Sequence, residues 1–354
     1  NGGWDKELTG IWVSKFEAGF ATSNGNSAPK KASSVNYSQT SVWASGYETG
    51  GNDGSLSARN WIDGVYGSTT TAIKYPTFQG LTYSMNYTNH NDAFNISRAL
   101  TESGNIYGLS SATTDSHLMK NSEWGAVAYL AQSKYGLNGT NIYINNANLR
   151  NSQQSAYAIT GCAGETEDAA EVGVKIDTTT KKPVTTDSSK KIYVWTQKSG
   201  TKASTTGTIY GIYDMSGGAW EKTAGLVNNG NKNLAIYGQS LLEQVQNGKS
   251  SKYVTVYSHD VNVDKDGADI DKAREANWKA NTQINGDGIC ETSTAGTGKT
   301  SWYGDFSYFP AMGDTFCSRG GMYWDVAGTG LFFFSCHNGY SYFHSGFRSV
   351  LVAK

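Results

Sequence analysis

The C-terminal stretch of residues 319–351 joins two rigid ends through a middle rich in aromatic, small and polar side chains. At its start, Gly320 and Gly321 let backbones approach closely, because glycine has no Cβ. At its end, Phe347 and Arg348 precede a short apolar run that is typical of a closing strand. The sequence therefore predicts structural ends around a middle that is free to make contacts.

Composition limits both the fold and the partners. The 354 residues can bury a substantial core. Forty-two glycines against four prolines, with 12% aromatic residues, predict a loop-rich α+β or all-β domain rather than a helical bundle. A net charge of -1 provides no basic field for nucleic acid, and no apolar run is long enough for direct membrane insertion. The start at Asn1, without methionine or signal peptide, suggests a processed or trimmed piece.

The four cysteines leave two interpretations open. Cys162, Cys290, Cys317 and Cys336 show no C-x-x-C spacing, so neither a zinc knuckle nor a thioredoxin-like redox pair is predicted. A disulfide such as Cys162 with Cys290 is one interpretation, and four unpaired, partly buried thiols are the other. Spacing alone cannot decide, because it does not give connectivity.

Local patterns predict several elements. Residues 11–17 are β-branched and aromatic, which favours an early strand. Apolar residues at helical spacing predict helices over 91–100, 121–131 and 271–280, the second with a cap at Asn121 or Ser122. Pro183 argues against a central strand in its own region, because proline cannot donate to the ladder.

Residues 207–222 combine a strand-like apolar run, a glycine turn and a large aromatic ring beside a carboxylate. This order predicts a tight turn that buries Trp220. We expect Glu221 to be a structural hydrogen-bonding residue rather than a general base. Five histidines in the whole chain give no basis for a Ser-His-Asp arrangement.

An acidic loop offers one possible cofactor, calcium. Asp260, Asn262, Asp264 and Asp266 alternate oxygen ligands in a way that suits Ca²⁺, but Ala273 stands where an EF-hand loop supplies its closing glutamate. A solvated loop is therefore the preferred interpretation, with calcium as the alternative. We expect no other cofactor.

Two motifs carry a resemblance to a known family. Residues 211–221 resemble the Gly-Leu-Tyr-Asp-Met-x-Gly-Asn-x-Trp-Glu signature of the formylglycine-generating-enzyme-like, or sulfatase-modifying factor, family. Residues 319–321 and 346–348 are similar to its closing motif, and residues 11–17 and the Trp124 helix follow the expected order. The resemblance spans most of the chain.

This resemblance implies an α+β, C-type-lectin-like fold of the formylglycine-generating-enzyme type with long loop insertions. A single domain then covers residues 1–354, with insertions at about 21–82, 166–206 and 226–301.

The chemistry of the oxidising members of the family is expected to be missing. Those members resemble one another in a pair of copper-binding cysteines between the two closing motifs, because copper needs two soft thiolates. This chain offers Cys336 there, and Trp324 stands about where the first thiolate is expected. We therefore expect no catalytic residues and no metal site, and a copper-dependent cysteine oxidase is the alternative function.

The C-terminal composition of this chain resembles that of a different branch of the family, the variable proteins of diversity-generating retroelements. They use the lectin-like fold to display a segment altered at template adenines. Asparagine codons ending in a pyrimidine cannot be converted to Lys, Glu, Gln, Met or Trp, and none of these occurs in residues 325–353. Residues 333–344 consist wholly of reachable types, whereas Met322 and Trp324 fall outside that pattern.

The resemblance implies a noncatalytic ligand-binding or adhesion protein that is extracellular, cell-surface or virion-displayed. Its partner is expected to be a protein or glycan on a cell or host surface. Alanine at Tyr323, Trp324, Phe343 and His344 is expected to abolish binding with little change in melting temperature. The predicted ligand-binding residues are Met322, Tyr323, Trp324, Asp325, Phe333, Ser335, Cys336, His337, Asn338, Ser341, Phe343 and His344.

Strand alternation sharpens this expectation for three consecutive phenylalanines. It places Phe332 and Phe334 on one face and Phe333 on the other. One set is therefore expected to be buried and the other displayed.

Overall fold

The computed structural model describes residues 4–19, 76–86, 88–105, 107–150, 156–165, 170–177, 179–180 and 182–354. Within these residues the chain forms four α-helices and fourteen short strands. The helices are α1 His90–Ala99, α2 Asn121–Gln132, α3 Lys232–Leu242 and α4 Ile270–Ala280. The strands are β1 Trp12–Val13, β2 Thr114–Leu118, β3 Ala147–Arg150, β4 Ala156–Ala158, β5 Cys162–Gly164, β6 Val172–Ile176, β7 Pro183–Thr185, β8 Ile192–Val194, β9 Trp220–Val227, β10 Thr255–Tyr257, β11 Phe316–Arg319, β12 Phe334–His337, β13 Ser345–Phe347 and β14 Ser349–Ala353.

A three-stranded antiparallel sheet brings the two ends of the described chain together, in the order β1-β14-β2. Trp12 of β1 pairs with Leu351 of β14. The strand predicted over residues 11–17 is confirmed only at Trp12–Val13. Beyond this strand, Glu17 lies in the core, where its carboxylate accepts a hydrogen bond from the Ala219 backbone N–H.

A larger sheet is centred on β9, with the order β10-β9-β11-β12 and with β13 also paired to β9. Strand β11 is antiparallel to β9, whereas β10 and β13 are parallel to it. Glu221 of β9 has Arg319 of β11 as one cross-strand partner and Gly346 of β13 as the other. The three motifs recognised in the sequence therefore meet around one residue of β9.

Two smaller sheets flank this centre, one in the order β4-β3-β6-β7 and the other the hairpin β5-β8. Strand β7 begins at Pro183 and lies at a sheet edge, as the proline predicts. Of the predicted insertions, 166–206 carries β6, β7 and β8, and 226–301 carries α3, β10 and α4. Most of the predicted insertion at 21–82 lies outside the described residues.

The predicted helices are confirmed within one or two residues at each end. In α1, the Asn89 side chain accepts from the Asp92 backbone N–H at 2.7 Å. Helix α2 begins as predicted, but its cap is Lys120, whose backbone N–H is bound by the Glu123 carboxylate at 2.9 Å. The predicted cap at Asn121 or Ser122 is wrong by one residue, because Asn121 already has helical backbone geometry.

The described chain is of the mixed α+β class, with apolar cores between helices and sheets. Trp124 of α2 is fully buried, and its ring N–H donates to the Leu331 carbonyl at 2.9 Å. All four cysteines are buried free thiols. Cys162 and Cys290 belong to separate apolar clusters, so the disulfide interpretation for this pair is not realised. Within the described ranges, no helix is both long and apolar enough to cross a membrane.

Candidate ligand-binding surface

A buried ion pair between Arg348 and Glu221 fixes one end of the C-terminal segment. Arg348 donates two hydrogen bonds to the Glu221 carboxylate, at 2.9 and 2.6 Å. The same guanidinium donates to the backbone carbonyls of Ser14 and Tyr213, both at 2.7 Å. Both charged side chains are at most 1% exposed. Glu221 therefore has the structural role expected from the sequence, because a carboxylate bound in this way is not free to act as a base.

The other end of the segment is held by a second buried arginine. Arg319 donates to the carbonyls of Asp287 and Gly288, each at 2.9 Å. The next residues, Gly320 and Gly321, have positive φ angles of 84° and 73°. A Cβ on Gly321 would lie 2.7 Å from the Thr329 hydroxyl oxygen, so glycine is required there.

Two further carboxylates lie near Arg348, so that three acidic side chains share its single positive charge. Glu17 and Asp214 are buried, and each has one carboxylate oxygen without a hydrogen-bond partner among the described residues. Burial raises the pKa of Asp214 to about 7. Burial, with the nearby Asp214 and Glu221 charges, raises the pKa of Glu17 well above its usual range. The buried Glu17 and Asp214 carboxyl groups near Arg348 therefore hold protons at neutral pH.

The structure places most of the predicted ligand-binding residues inside the protein. Trp324, Asp325, His337 and Asn338 are half-buried, which leaves them partly accessible. The other eight are at most 8% exposed, so the expectation that they face outward is wrong: Met322, Tyr323, Phe333, Ser335, Cys336, Ser341, Phe343 and His344.

The three consecutive phenylalanines are all core residues, at most 2% exposed. Phe332 belongs to the apolar cluster under α2, and Phe334 packs against Phe309 on another side. Phe333 faces Trp220, with ring centroids 6.2 Å apart. Alternation does separate the rings, but protein lies on both sides of the segment, so neither face is displayed.

Two of the four positions proposed for alanine substitution also belong to the core. Tyr323 and Phe343 form an apolar cluster with Ala158, against which Trp324 and Tyr342 pack. Alanine at Tyr323 or Phe343 would leave a cavity, so the structure contradicts the expected small change in melting temperature.

Partly exposed aromatic and polar side chains surround the nearly buried His344. Tyr342 and Trp324 lie 4.2 and 5.8 Å from the His344 ring centroid, and His337 lies 4.6 Å from Tyr340. Along 340–343, half-buried tyrosines alternate with buried residues. We call this group the C-terminal aromatic surface, and it comprises Trp220, Trp324, Asp325, His337, Asn338, Tyr340, Tyr342 and His344.

Trp220 is half-buried rather than buried, so the predicted burial of this ring is wrong. Its ring lies edge-on to His344 at 4.8 Å, and its N–H donates to the Asp325 carboxylate at 2.7 Å. Sequence reasoning also missed Tyr340 and Tyr342. The period of two in residues 340–343 is the signal that could have found them.

Basic side chains gather directly beneath this surface. Lys222 shares the face of β9 with Trp220, since side chains two residues apart point the same way. It is 1% exposed, and its ammonium nitrogen has no hydrogen-bond partner among the described residues. Burial lowers the pKa of Lys222 to about 7, although Asp92 of α1 opposes that shift.

Three histidines surround the same lysine. Burial and the Lys222 charge lower the pKa values of His90, His337 and His344 well below their usual range. These imidazoles are therefore neutral at pH 7, and they act as aromatic rings and hydrogen-bonding groups rather than as cations.

The acidic loop bears on the calcium alternative, and the buried cysteines bear on the copper alternative. No group of three or more His, Cys, Asp or Glu side chains in the described ranges is placed to hold a metal ion. Asp264 has its carboxylate oxygens occupied by N–H donors from Asn229, Asn277 and Met312. Those donors occupy the positions that a cation needs.

Cys336 lies directly opposite Cys317 across β11 and β12. Burial raises the pKa of Cys336 to about 12, so the thiol is protonated at neutral pH. A protonated thiol is a poor metal ligand.

No protein-family model matches this sequence, and a search of curated proteins finds no relative.

Proposed function

We propose that this protein is a noncatalytic ligand-binding or adhesion protein that presents the C-terminal aromatic surface to a partner. The observation that carries the proposal is the contrast in exposure between this surface and the buried residues beneath it. Partly exposed Trp, Tyr and His side chains stand on a buried frame made by Arg348, Glu221 and Arg319. A fixed frame allows the surface side chains to change without changing the fold.

The proposed fold is C-type-lectin-like, of the formylglycine-generating-enzyme type, and the branch proposed for this chain is that of the variable proteins of diversity-generating retroelements. Its support is that the three motifs converge on β9. The proposed location is extracellular, cell-surface or virion-displayed, because such variable proteins act on external partners.

The proposed ligand is a protein or a glycan. Tyrosine and tryptophan give a large contact area at low entropic cost, and neutral histidine and asparagine add adaptable hydrogen bonds. The packing of Trp220 edge-on to His344, with Trp324 and Tyr342 tilted against the same ring, fixes the rings before a ligand arrives. Preorganisation of this kind reduces the entropy lost on binding.

A binding experiment tests this directly. The labelled chain is applied to host cells and to an immobilised glycan array, as wild type and as Tyr342→Ala. Loss of one central aromatic residue should weaken binding about tenfold or more, as expected for a hot-spot residue. Tyr135→Ala is the matched control, because Tyr135 is 75% exposed and lies on α2's C-terminal side. Equal binding by wild type and Tyr342→Ala would exclude this surface as the binding site.

The encoding locus provides an independent test. A diversified protein requires a nearby reverse transcriptase and a near-copy of the segment coding for residues 319–348. We expect adenine-directed differences at the codons of the half-buried His337, Asn338, Tyr340 and Tyr342. Differences concentrated at Arg319 or Arg348 would contradict the division into frame and surface.

The copper-dependent cysteine oxidase remains the second candidate, and one observation favours it. Cys317 and Cys336 face each other across adjacent strands, so two thiols are close although only one lies between the closing motifs. Copper binding and cysteine oxidation, measured on wild type and Cys336→Ser, separate the candidates. Stoichiometric copper binding that is lost in the variant would favour the oxidase.

A further inference from the structure

A second surface with a distinct charge lies away from the C-terminal segment in sequence. Residues 188–213 contain the four lysines 190, 191, 198 and 202 and no aspartate or glutamate, although the whole chain has a net charge of -1. Positive charge is therefore concentrated in the region of β8 and the turns that follow it. A local field of this kind attracts anions.

Lys202 is held over a pair of tyrosine rings. Its ammonium nitrogen lies 4.9 Å from the Tyr193 ring centroid and 5.8 Å from that of Tyr143. It also donates to the Tyr193 hydroxyl at 3.2 Å, and the two rings meet edge-on at 5.2 Å. Lys202 itself is exposed, so its charge is fixed in position and still accessible. Among the described residues, the Glu165 carboxylate acts on the Lys202 charge.

Lys15 lies over aromatic rings in the same way as Lys202, and these rings belong to the same apolar cluster as the tyrosines under Lys202. Its ammonium nitrogen lies 4.9 Å from the Trp195 ring and 5.5 Å from that of Tyr213. A hydrogen bond of 2.8 Å to the Ile209 carbonyl fixes it there, next to the 91% exposed Tyr210. Tyr143, Tyr193 and Trp195 all pack on the cluster formed by Phe16, Ala163, Ala203 and Tyr213.

We propose that this lysine-aromatic surface, made by Lys15, Tyr143, Tyr193, Trp195 and Lys202, binds an acidic polysaccharide. Each lysine stands beside partly exposed ring faces, so the surface offers two neighbouring units of cation plus ring. A polymer of uronic acid residues has the complementary repeat, a carboxylate on each pyranose ring. Carboxylates pair with the lysines, and the apolar faces of the sugars pack on the rings.

Nucleic acid fits this surface less well than an acidic glycan. A nucleic-acid chain follows a basic field across many phosphates, whereas this surface offers Lys15 and Lys202 with Glu165 acting on the second. The inference is independent of the C-terminal aromatic surface, whose residues come from other parts of the chain.

Isothermal titration of the full chain with an oligogalacturonate tests the proposal. The neutral oligogalactan of equal length and a poly(dT) oligonucleotide serve as comparison ligands. We expect the acidic sugar to bind in a salt-dependent manner and at least fivefold more tightly than the neutral sugar. Lys202→Gln and Tyr193→Ala should each weaken binding about two- to fivefold, the size of one exposed cation-π or ionic contact.

Lys272→Gln on α4 is the matched control, because Lys272 is also an exposed lysine, with a side chain 79% accessible, and should bind like wild type. Far-ultraviolet circular dichroism verifies that each variant is folded. The proposal is overturned if the acidic sugar does not bind or binds no better than the neutral one. It is also overturned if Lys272→Gln loses as much affinity as Lys202→Gln, or if poly(dT) binds more tightly than the sugar.

Discussion

Lys222 is the residue whose environment differs most from that of an ordinary lysine in water. It is buried among His90, His337 and His344, with Asp92 as the nearest opposing charge. Because burial lowers the pKa of Lys222 to about 7, folding favours the neutral amine. The stability from this residue is complete above the unfolded pKa of about 10.4 and is lost as the pH falls towards 7.

We therefore predict that Lys222→Met removes part of the rise in stability between pH 7 and pH 10. The free energy of unfolding, measured by urea titration at pH 7, 8 and 9, should increase with pH more steeply in wild type than in the variant. Lys272→Met should follow the wild-type slope, because Lys272 is exposed. Parallel slopes for wild type and Lys222→Met would show that the amine is charged in the folded protein.

Asp214 has the opposite pH dependence. Its folded pKa of about 7 lies above the ordinary value of 3.8, so its contribution is complete below pH 3.8 and is lost as the pH rises through 7. We predict that Asp214→Asn gains stability relative to wild type between pH 4 and pH 7, on the order of 3 kcal/mol.

Asparagine suits this site for two reasons. It keeps the oxygen that accepts from Asn145 and Gly161, and it tolerates the left-handed φ of 68°. Asp266→Asn, at an exposed position in the acidic loop, is the control. Chemical denaturation at pH 4, 5.5 and 7 gives the comparison, and a constant difference between variant and wild type would exclude titration of Asp214 in this range.

At the scale of elements, the connection from β11 to β12 begins with two glycines at positive φ, and Gly321 has the closer contact of the two. We predict that Gly321→Ala lowers the free energy of unfolding by about 2 to 4 kcal/mol, because strain at its positive φ adds to a contact with Thr329. Gly267→Ala is the matched control: it has a similar φ of 80° but nothing within 4 Å of the added Cβ. It should cost about 1 kcal/mol. Equal losses in the two variants would show that the Thr329 contact has no effect.

Three of the four described helices could be predicted from sequence, whereas α3 and most strand pairings could not. Helix α2 shows its periodicity and its Glu123 cap within one short window. By contrast, β9 joins β11 and β13 through contacts between residues far apart along the chain. Short strands such as Trp12–Val13 carry too little local pattern to fix their ends.

Of the predicted ligand-binding residues, Trp324, Asp325, His337 and Asn338 are partly accessible, and the other eight are buried. The aromatic composition of 333–344 marks the segment, but it does not show which rings face other parts of the protein. Phe333 is buried by Trp220, and Lys222 meets His90 only through the fold. Such burial depends on distant residues, so a single sequence could not supply it.

At the scale of the whole molecule, the two proposed surfaces differ in charge and therefore in the class of ligand that we propose for each. The C-terminal aromatic surface has neutral imidazoles and little charge, which suits variable contacts with a protein or glycan. The lysine-aromatic surface has fixed cations and suits an acidic polymer. Since they share no residue, we predict that Tyr342→Ala and Lys202→Gln have additive effects on attachment to cells coated with both kinds of ligand. A double variant that is no weaker than either single variant would indicate one shared site.

Glu221 has one consequence for how the C-terminal segment can change. The chain leaves β9's side at Arg319 and returns at Gly346, and both residues are partners of Glu221 in the sheet. The segment between them is thus a closed loop, because both of its ends pair with Glu221 of β9. Closing a flexible loop of twice the length costs only about 0.6 kcal/mol more. The loop also contains β12 and the buried Phe332, Phe333 and Phe334, so a change in its length must leave these core residues in place and is confined to the stretches outside them.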